Sequence, residues 1–148
     1  MTTSTPSVRA TLLRLQLTPA PGSGGPLDGA WWPRSRDLEL ELADLVDHFP
    51  HEVGHIARAI FSRPDWLTSP HRVKIGRGIM RTGSFPKDDT HVMLLKLSTG
   101  RQLAVLVVPP DTEAEAAREI MGTASSPSNR RSAADLLARA GERGPARA

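Results

Sequence analysis

Two runs decide the fold: His91-Val92-Met93-Leu94-Leu95-Lys96-Leu97 and Gln102-Leu103-Ala104-Val105-Leu106-Val107-Val108, joined by Ser98-Thr99-Gly100-Arg101. Both are apolar and rich in branched residues, and the short polar connection with a glycine is a hairpin signal. Val105 to Val108 is apolar without interruption, which predicts a central strand covered on both faces. Pro109-Pro110 ends it, because proline brings no amide donor to a ladder.

Working outward, "RVKIG" (72–76) and "IMRTGSF" (79–85) are two further short runs, broken by Gly76, Gly78 and Gly83. "VGHIARAIFS" (53–62) carries β-branched and aromatic residues and stops at Arg63-Pro64. Near the start, "VRATLLRLQL" (8–17) alternates Leu13, Leu15 and Leu17 with Arg14 and Gln16, the pattern of a half-buried strand. Between these lies a helical segment. Ser35 is placed to cap it, Asp37 and Glu39 suit the positive end of its dipole, and Leu38, Leu42, Leu45 and Phe49 form one buried stripe. A second helix is expected from a cap at Asp111 or Thr112 to about Met121. Ser132 and Asp135, in capping-box spacing, start a third, short one.

The order strand, helix, run of strands, helix predicts an α+β fold: one small domain, a twisted, mainly antiparallel sheet of about five or six strands, and two or three helices. The two longer helices are free to cover the same face. Residues 1–7 read as a disordered start, 8–124 as the domain, and 125–148 as linker, short helix and basic tail. A chain of 148 residues suits one core. It has no apolar run of membrane-spanning length, no secretory signal pattern and no cysteine, so a cytoplasmic protein without thiolate metal sites is expected.

The net charge of +3 resides in the tail, where Arg130, Arg131, Arg139, Arg143 and Arg147 outnumber Asp135 and Glu142. The rest is neutral but uneven. Asp37 to Asp47 holds five acids and no base, whereas Arg58 to Arg81 holds six bases and one acid, Asp65. The acidic helix is expected to neutralise the basic strands within the fold, which makes a nucleic-acid partner unlikely on charge grounds. Contact through the Arg-rich tail is a weaker alternative.

Two segments carry chemistry. His51-Glu52-Val53-Gly54-His55 fits H-E-x-x-H, which on a helix lets two imidazoles reach one Zn²⁺ while the glutamate acts as base. Here Pro50 precedes the motif and Gly54 sits inside it, both unfavourable to a helix. In a strand His51 and His55 would stand about 13 Å apart, too far to share a metal. A zinc-dependent hydrolase with His51 and His55 as ligands and Glu52 as base is therefore the alternative reading, not the first. The other segment is "GPLDGAWWPRSRDL" (25–38), with two adjacent tryptophans between a glycine-rich loop and a helix start. Trp faces and guanidinium groups suit stacking on a ring or holding an anion. Asp28, Trp31, Trp32 and Arg34 are the candidate ligand-binding residues, with Arg72 and Lys74 of the basic strands beside them. The alternative is that both indoles plug the sheet and Asp28 caps a turn.

The G-P-L-D-G-x-W-W-P block, the strand "HVMLLKL" and "LAVLVVPPDT" before an Ala/Glu-rich helix resemble an actinobacterial domain family of unknown function, from about Leu12 to Met121. That family has no assigned activity, so no catalytic residues are carried over from it; it is not a peptidase family and H-E-x-x-H is not one of its marks, so no metal and no cofactor are expected. The expectation is a non-catalytic binding or regulatory module whose partner is an unknown small molecule or protein.

Overall fold

The computed structural model describes residues 13–20, 26–85 and 91–138. In chain order its elements are β1 (Leu15–Leu17), β2 (Gly29–Trp31), α1 (Leu38–Asp47), β3 (Ile56–Phe61), a 3-10 turn (Arg63–Asp65), β4 (Arg72–Ile75), β5 (Gly78–Ser84), β6 (Val92–Leu97), β7 (Gln102–Val107) and α2 (Ala114–Ala124). A further helical segment, α3, covers 133–138.

The hairpin forms as read: β6 and β7 pair antiparallel, with Met93 opposite Val105 and Leu95 opposite Leu103. Around it the strands are ordered β1-β2-β7-β6-β3-β5-β4 in one open sheet. The sheet is mixed, not mainly antiparallel, because β2 runs parallel to β7 and β3 runs parallel to β5. It has seven strands rather than five or six. The extra one is β2, three residues long and wholly buried, hidden inside a segment that reads as loop. It is made a strand by its partners: Ala30 pairs with Gln16 on one side and Leu106 on the other.

The two longer helices, free on sequence grounds to share a face, lie on opposite ones. On the first face, Leu38, Leu42 and Leu45 of α1 are fully buried against Val73, Met93, Leu95, Leu103 and Val105. Burial of each leucine contributes about 1.5–3 kcal/mol. On the second face, Ala117, Ile120, Met121 and Ala124 of α2 pack with Ala133 and Leu136 of α3 over Leu27, Ala30, Leu106 and Val108. The unbroken apolar run in β7 exists because this strand is covered twice: Leu103, Val105 and Val107 face α1, Leu106 and Val108 face α2.

Helix α1 is capped by Asp37, whose Oδ1 accepts from the amide of Leu40 at 3.3 Å, and not by Ser35. The Ser35 hydroxyl donates instead to Glu41 (2.7 Å), which is buried and also accepts from the amide of Arg34. Helix α2 starts at Ala114 with Glu113 at its N-cap, one or two residues later than the cap expected at Asp111 or Thr112. No described helix is long and apolar enough to cross a membrane. The expectation of disorder over 1–7, the strand residues before Leu13 and the tail beyond 138 lie outside the described residues.

Candidate functional site

The tryptophan segment is part of the core. Trp31 and Trp32 are neighbours on an extended chain, so their side chains leave opposite faces of the sheet. Trp31 is 1% exposed and packs against Trp66 on the α1 side, ring centroids 5.6 Å apart. Trp32 is buried on the α2 side. Asp28 is also buried: its carboxylate accepts from the amide of Ala104 at 2.8 Å and extends the β2–β7 pairing by one bond. Arg34 lies exposed at the rim, its backbone amide donating to Glu41.

The residue that covers Trp32 is Arg14, which sequence reading passed over as a polar strand residue. Its guanidinium stands 3.7 Å from the centre of the Trp32 ring. It also donates to the carbonyls of Trp32 (2.9 Å) and Pro33 (3.0 Å). Burial, with the Arg34 charge nearby, holds its pKa below the ordinary arginine value. Only the alternation L-R-L-Q-L hinted at it, by placing Arg14 opposite to Leu13 and Leu15.

The H-E-x-x-H segment is not a helix. Residues 51–53 form a turn, Gly54 has φ +137°, and β3 begins at Ile56. The turn does bring the imidazoles of His51 and His55 edge to face, with centroids 5.7 Å apart, correcting the extended-strand separation. No group of three His, Asp or Glu side chains able to hold a metal occurs among the described residues. Among the described residues the pair therefore has no third ligand of the kind a catalytic zinc requires.

Asp65 and His91 form another constellation that sequence reading missed. Asp65 is 5% exposed, and its Oδ2 accepts from the amide of His91 at 2.7 Å. Its Oδ1 lies 2.8 Å from His91 Nδ1, close enough for an ion pair but off the line of a hydrogen bond. His91 has φ +72°, a backbone conformation that a non-glycine residue adopts at a cost. The carboxylate thus pins the chain entering β6. Ser62, nearby in sequence, is fully buried and its hydroxyl makes no hydrogen bond, so it is not a nucleophile activated by this histidine.

The second face of the sheet is covered only in part. Helix α2 contacts β1, β2 and β7, and Val92 of β6 packs at its edge; among the described residues the rest of this face of β6, β3, β5 and β4 is uncovered. Four cations line up there. Arg72 on β4 is registered with Arg81 on β5, Arg81 with Arg58 on β3, and Arg58 with Lys96 on β6. All four are exposed, as is the adjacent Lys74. None of the four has an ion-pair partner among the described residues.

Local structure explains the row. In β4 the sequence Arg-Val-Lys-Ile alternates, and Val73 and Ile75 go to the α1 face, which sends Arg72 and Lys74 to the other. In β5, buried Met80 and Thr82 do the same for Arg81. Arg58 joins them through a β-bulge. Ile56 pairs with Leu97 and Arg58 with Lys96, so Ala57 is an extra residue. Without it, strict alternation would put Arg58 on the buried side with Ile56. The Arg58 guanidinium then lies beside Gly83, within 3.4 Å of where a β-carbon would sit. The acidic helix α1 packs on the opposite face, so it does not neutralise this row. The sheet separates the acids of α1 from the row; Glu115 and Glu119 of α2 lie on the row's side, over the other half of the sheet.

The chain belongs to the domain family DUF5994, a family of unknown function, whose model matches residues 14–124. No curated protein and no solved structure matches the chain at a significant level.

Proposed function

We propose that this DUF5994 domain is a non-catalytic binding module that holds an anionic partner on the open half of its sheet. The observation that carries the reading is the row Arg72–Arg81–Arg58–Lys96, four cations abreast on four neighbouring strands. Like charges directly opposite on a sheet destabilise it, by about 0.2–1 kcal/mol per pair. Three such contacts in succession are a cost to folding that binding an anion would recover. Neighbouring strands lie about 4.8 Å apart, so the row spans roughly 14 Å, the scale of an extended polyanion and not of a small ligand. In this reading the buried Asp28, Trp31 and Trp32 are scaffold. They tie β2 to β7 and anchor both layers, while Arg34 stands at the rim of the α1 layer.

Heparin affinity tests it. The whole chain should be retained and should elute at higher salt than its R58Q/R81Q variant. R63Q/R118Q, which removes the same charge from exposed positions outside the row, should elute close to the parent. Equal elution of the two variants would refute the assignment.

A further inference from the structure

We infer that the anionic partner is the sugar–phosphate backbone of double-stranded nucleic acid, bound without reading base sequence. The inference rests on the anion-binding reading above and specifies its ligand.

Three observations on the open half-face select this partner. The first is the arrangement of charge: four exposed cations in one line, with Lys74 on the next rung and no acidic residue on the strands β3, β4, β5 and β6. A line of cations matches a linear, dense array of negative charge. Duplex nucleic acid presents about one charge per 1.7 Å of its axis, more than any unfolded acidic peptide can hold in register. The second is the absence of rings. Proteins that hold single strands add aromatic side chains on which bases stack. Phe61 is the aromatic within these four strands, and it is buried on the α1 side. These four strands therefore offer contacts to phosphates and no ring for a splayed base, with half-buried Phe85 just beyond the end of β5, which favours a partner whose bases are already paired. The third is its apolar content. Ile79, 69% exposed, is the one large hydrophobic side chain that stands out from the row. A single isoleucine gives little insertion into a lipid surface, where stable attachment takes two anchoring signals.

Arg58, Arg72 and Arg81 can each take a phosphate through two parallel N–H donors, and Lys96 through one ammonium.

The test is fluorescence anisotropy of the whole chain with a labelled duplex of about 20 base pairs, between about 50 and 200 mM salt. Four phosphate contacts give a slope of log K against log salt of about −3.6, so affinity should fall roughly 150-fold over that range. R58Q/R81Q should reduce the slope to about −1.8 and the fall to roughly 12-fold, while R63Q/R118Q should leave it unchanged. Two duplexes of unrelated sequence should bind alike. The inference is overturned if the row-dependent ligand is polyglutamate or an anionic phosphatidylserine vesicle and the duplex does not compete. The broader anion-binding reading survives in that case. If heparin, polyglutamate, vesicles and duplex all ignore R58Q/R81Q, both readings fall. Duplex binding abolished by deleting 139–148 but indifferent to R58Q/R81Q would assign it to the tail and likewise overturn the inference.

Discussion

Replacing Gly29 by alanine should unseat the edge of the sheet. Gly29 lies in β2 between Leu17 of β1 and Val105 of β7. A β-carbon there would stand 2.1 Å from the Gln16 carbonyl oxygen and 2.8 Å from Leu17 Cα. Both are backbone atoms, so no rotamer change relieves the clash. Strand β1 would have to retreat by about 1.3 Å to restore a 3.4 Å contact. At its two ends the amide of Thr18 donates to Asp28 and that of Trp32 to Arg14, each at 2.8 Å. Loosening both costs about 1 kcal/mol apiece, and the overpacking itself about 1–3 kcal/mol. A loss of about 3–5 kcal/mol corresponds to a fall in Tm of roughly 10–15 °C for a chain of this size. Calorimetry gives the Tm, and hydrogen exchange should show Leu17, Thr18 and Trp32 losing protection first. Gly122 provides the contrast. It lies in α2 with nothing within 4 Å of its missing β-carbon, so Gly122→Ala should stabilise by about 0.5–1 kcal/mol. A Gly29→Ala protein whose Tm and β1 exchange match the parent would refute the close approach of β1 to β2.

Four further outcomes follow from the same geometry. Arg81 faces a cation on each side, so Arg81→Gln should raise stability by about 0.5–1 kcal/mol at low ionic strength, a gain that disappears in about 1 M salt; thermal melts at the two salts check it. Arg14→Lys should destabilise by about 1–2 kcal/mol and shift tryptophan emission to the red, because lysine can neither stack flat on Trp32 nor span both carbonyls. Asp65→Ala should cost about 3 kcal/mol in denaturant unfolding, whereas His91→Gly should stay within about 1 kcal/mol, since glycine relieves the positive φ and keeps the backbone amide that Asp65 accepts from as it loses the imidazole contact. Elemental analysis of the untagged protein should find no stoichiometric zinc, unchanged by His51→Ala, because no third ligand among the described residues completes the pair.

Particular residues show where sequence reading reaches and stops. The β6–β7 hairpin and the stripe Leu38, Leu42, Leu45 were legible because each is a local periodicity of apolar side chains. Strand β2 was not. Three residues carry no period, and its extended form depends on two partners distant in the chain, Gln16 and Leu106. With β2 unread, the two tryptophans looked like a loop feature. Once the segment is extended, their placement on opposite faces follows directly. The side on which each helix packs was equally hidden, because it depends on how the chain crosses the sheet. The surplus of bases between Arg58 and Arg81 was visible, and so was the alternation that turns Arg72 and Lys74 away from the core. Their alignment with Arg58 and Lys96 needed the register of three strand pairs and the bulge at Ala57. Neither leaves a signal in composition.

The most direct test of the open basic half-face is a ¹H–¹⁵N correlation titration of the chain with heparin or duplex, following backbone amides and arginine side-chain Nε–H groups. The expected result is that Arg58, Arg72, Arg81 and Lys96 shift together and saturably, while α1 and the amides around Trp31 and Trp32 stay still. Shifts centred on α1 or on the Trp31–Arg34 segment, with the row unmoved, would contradict the account.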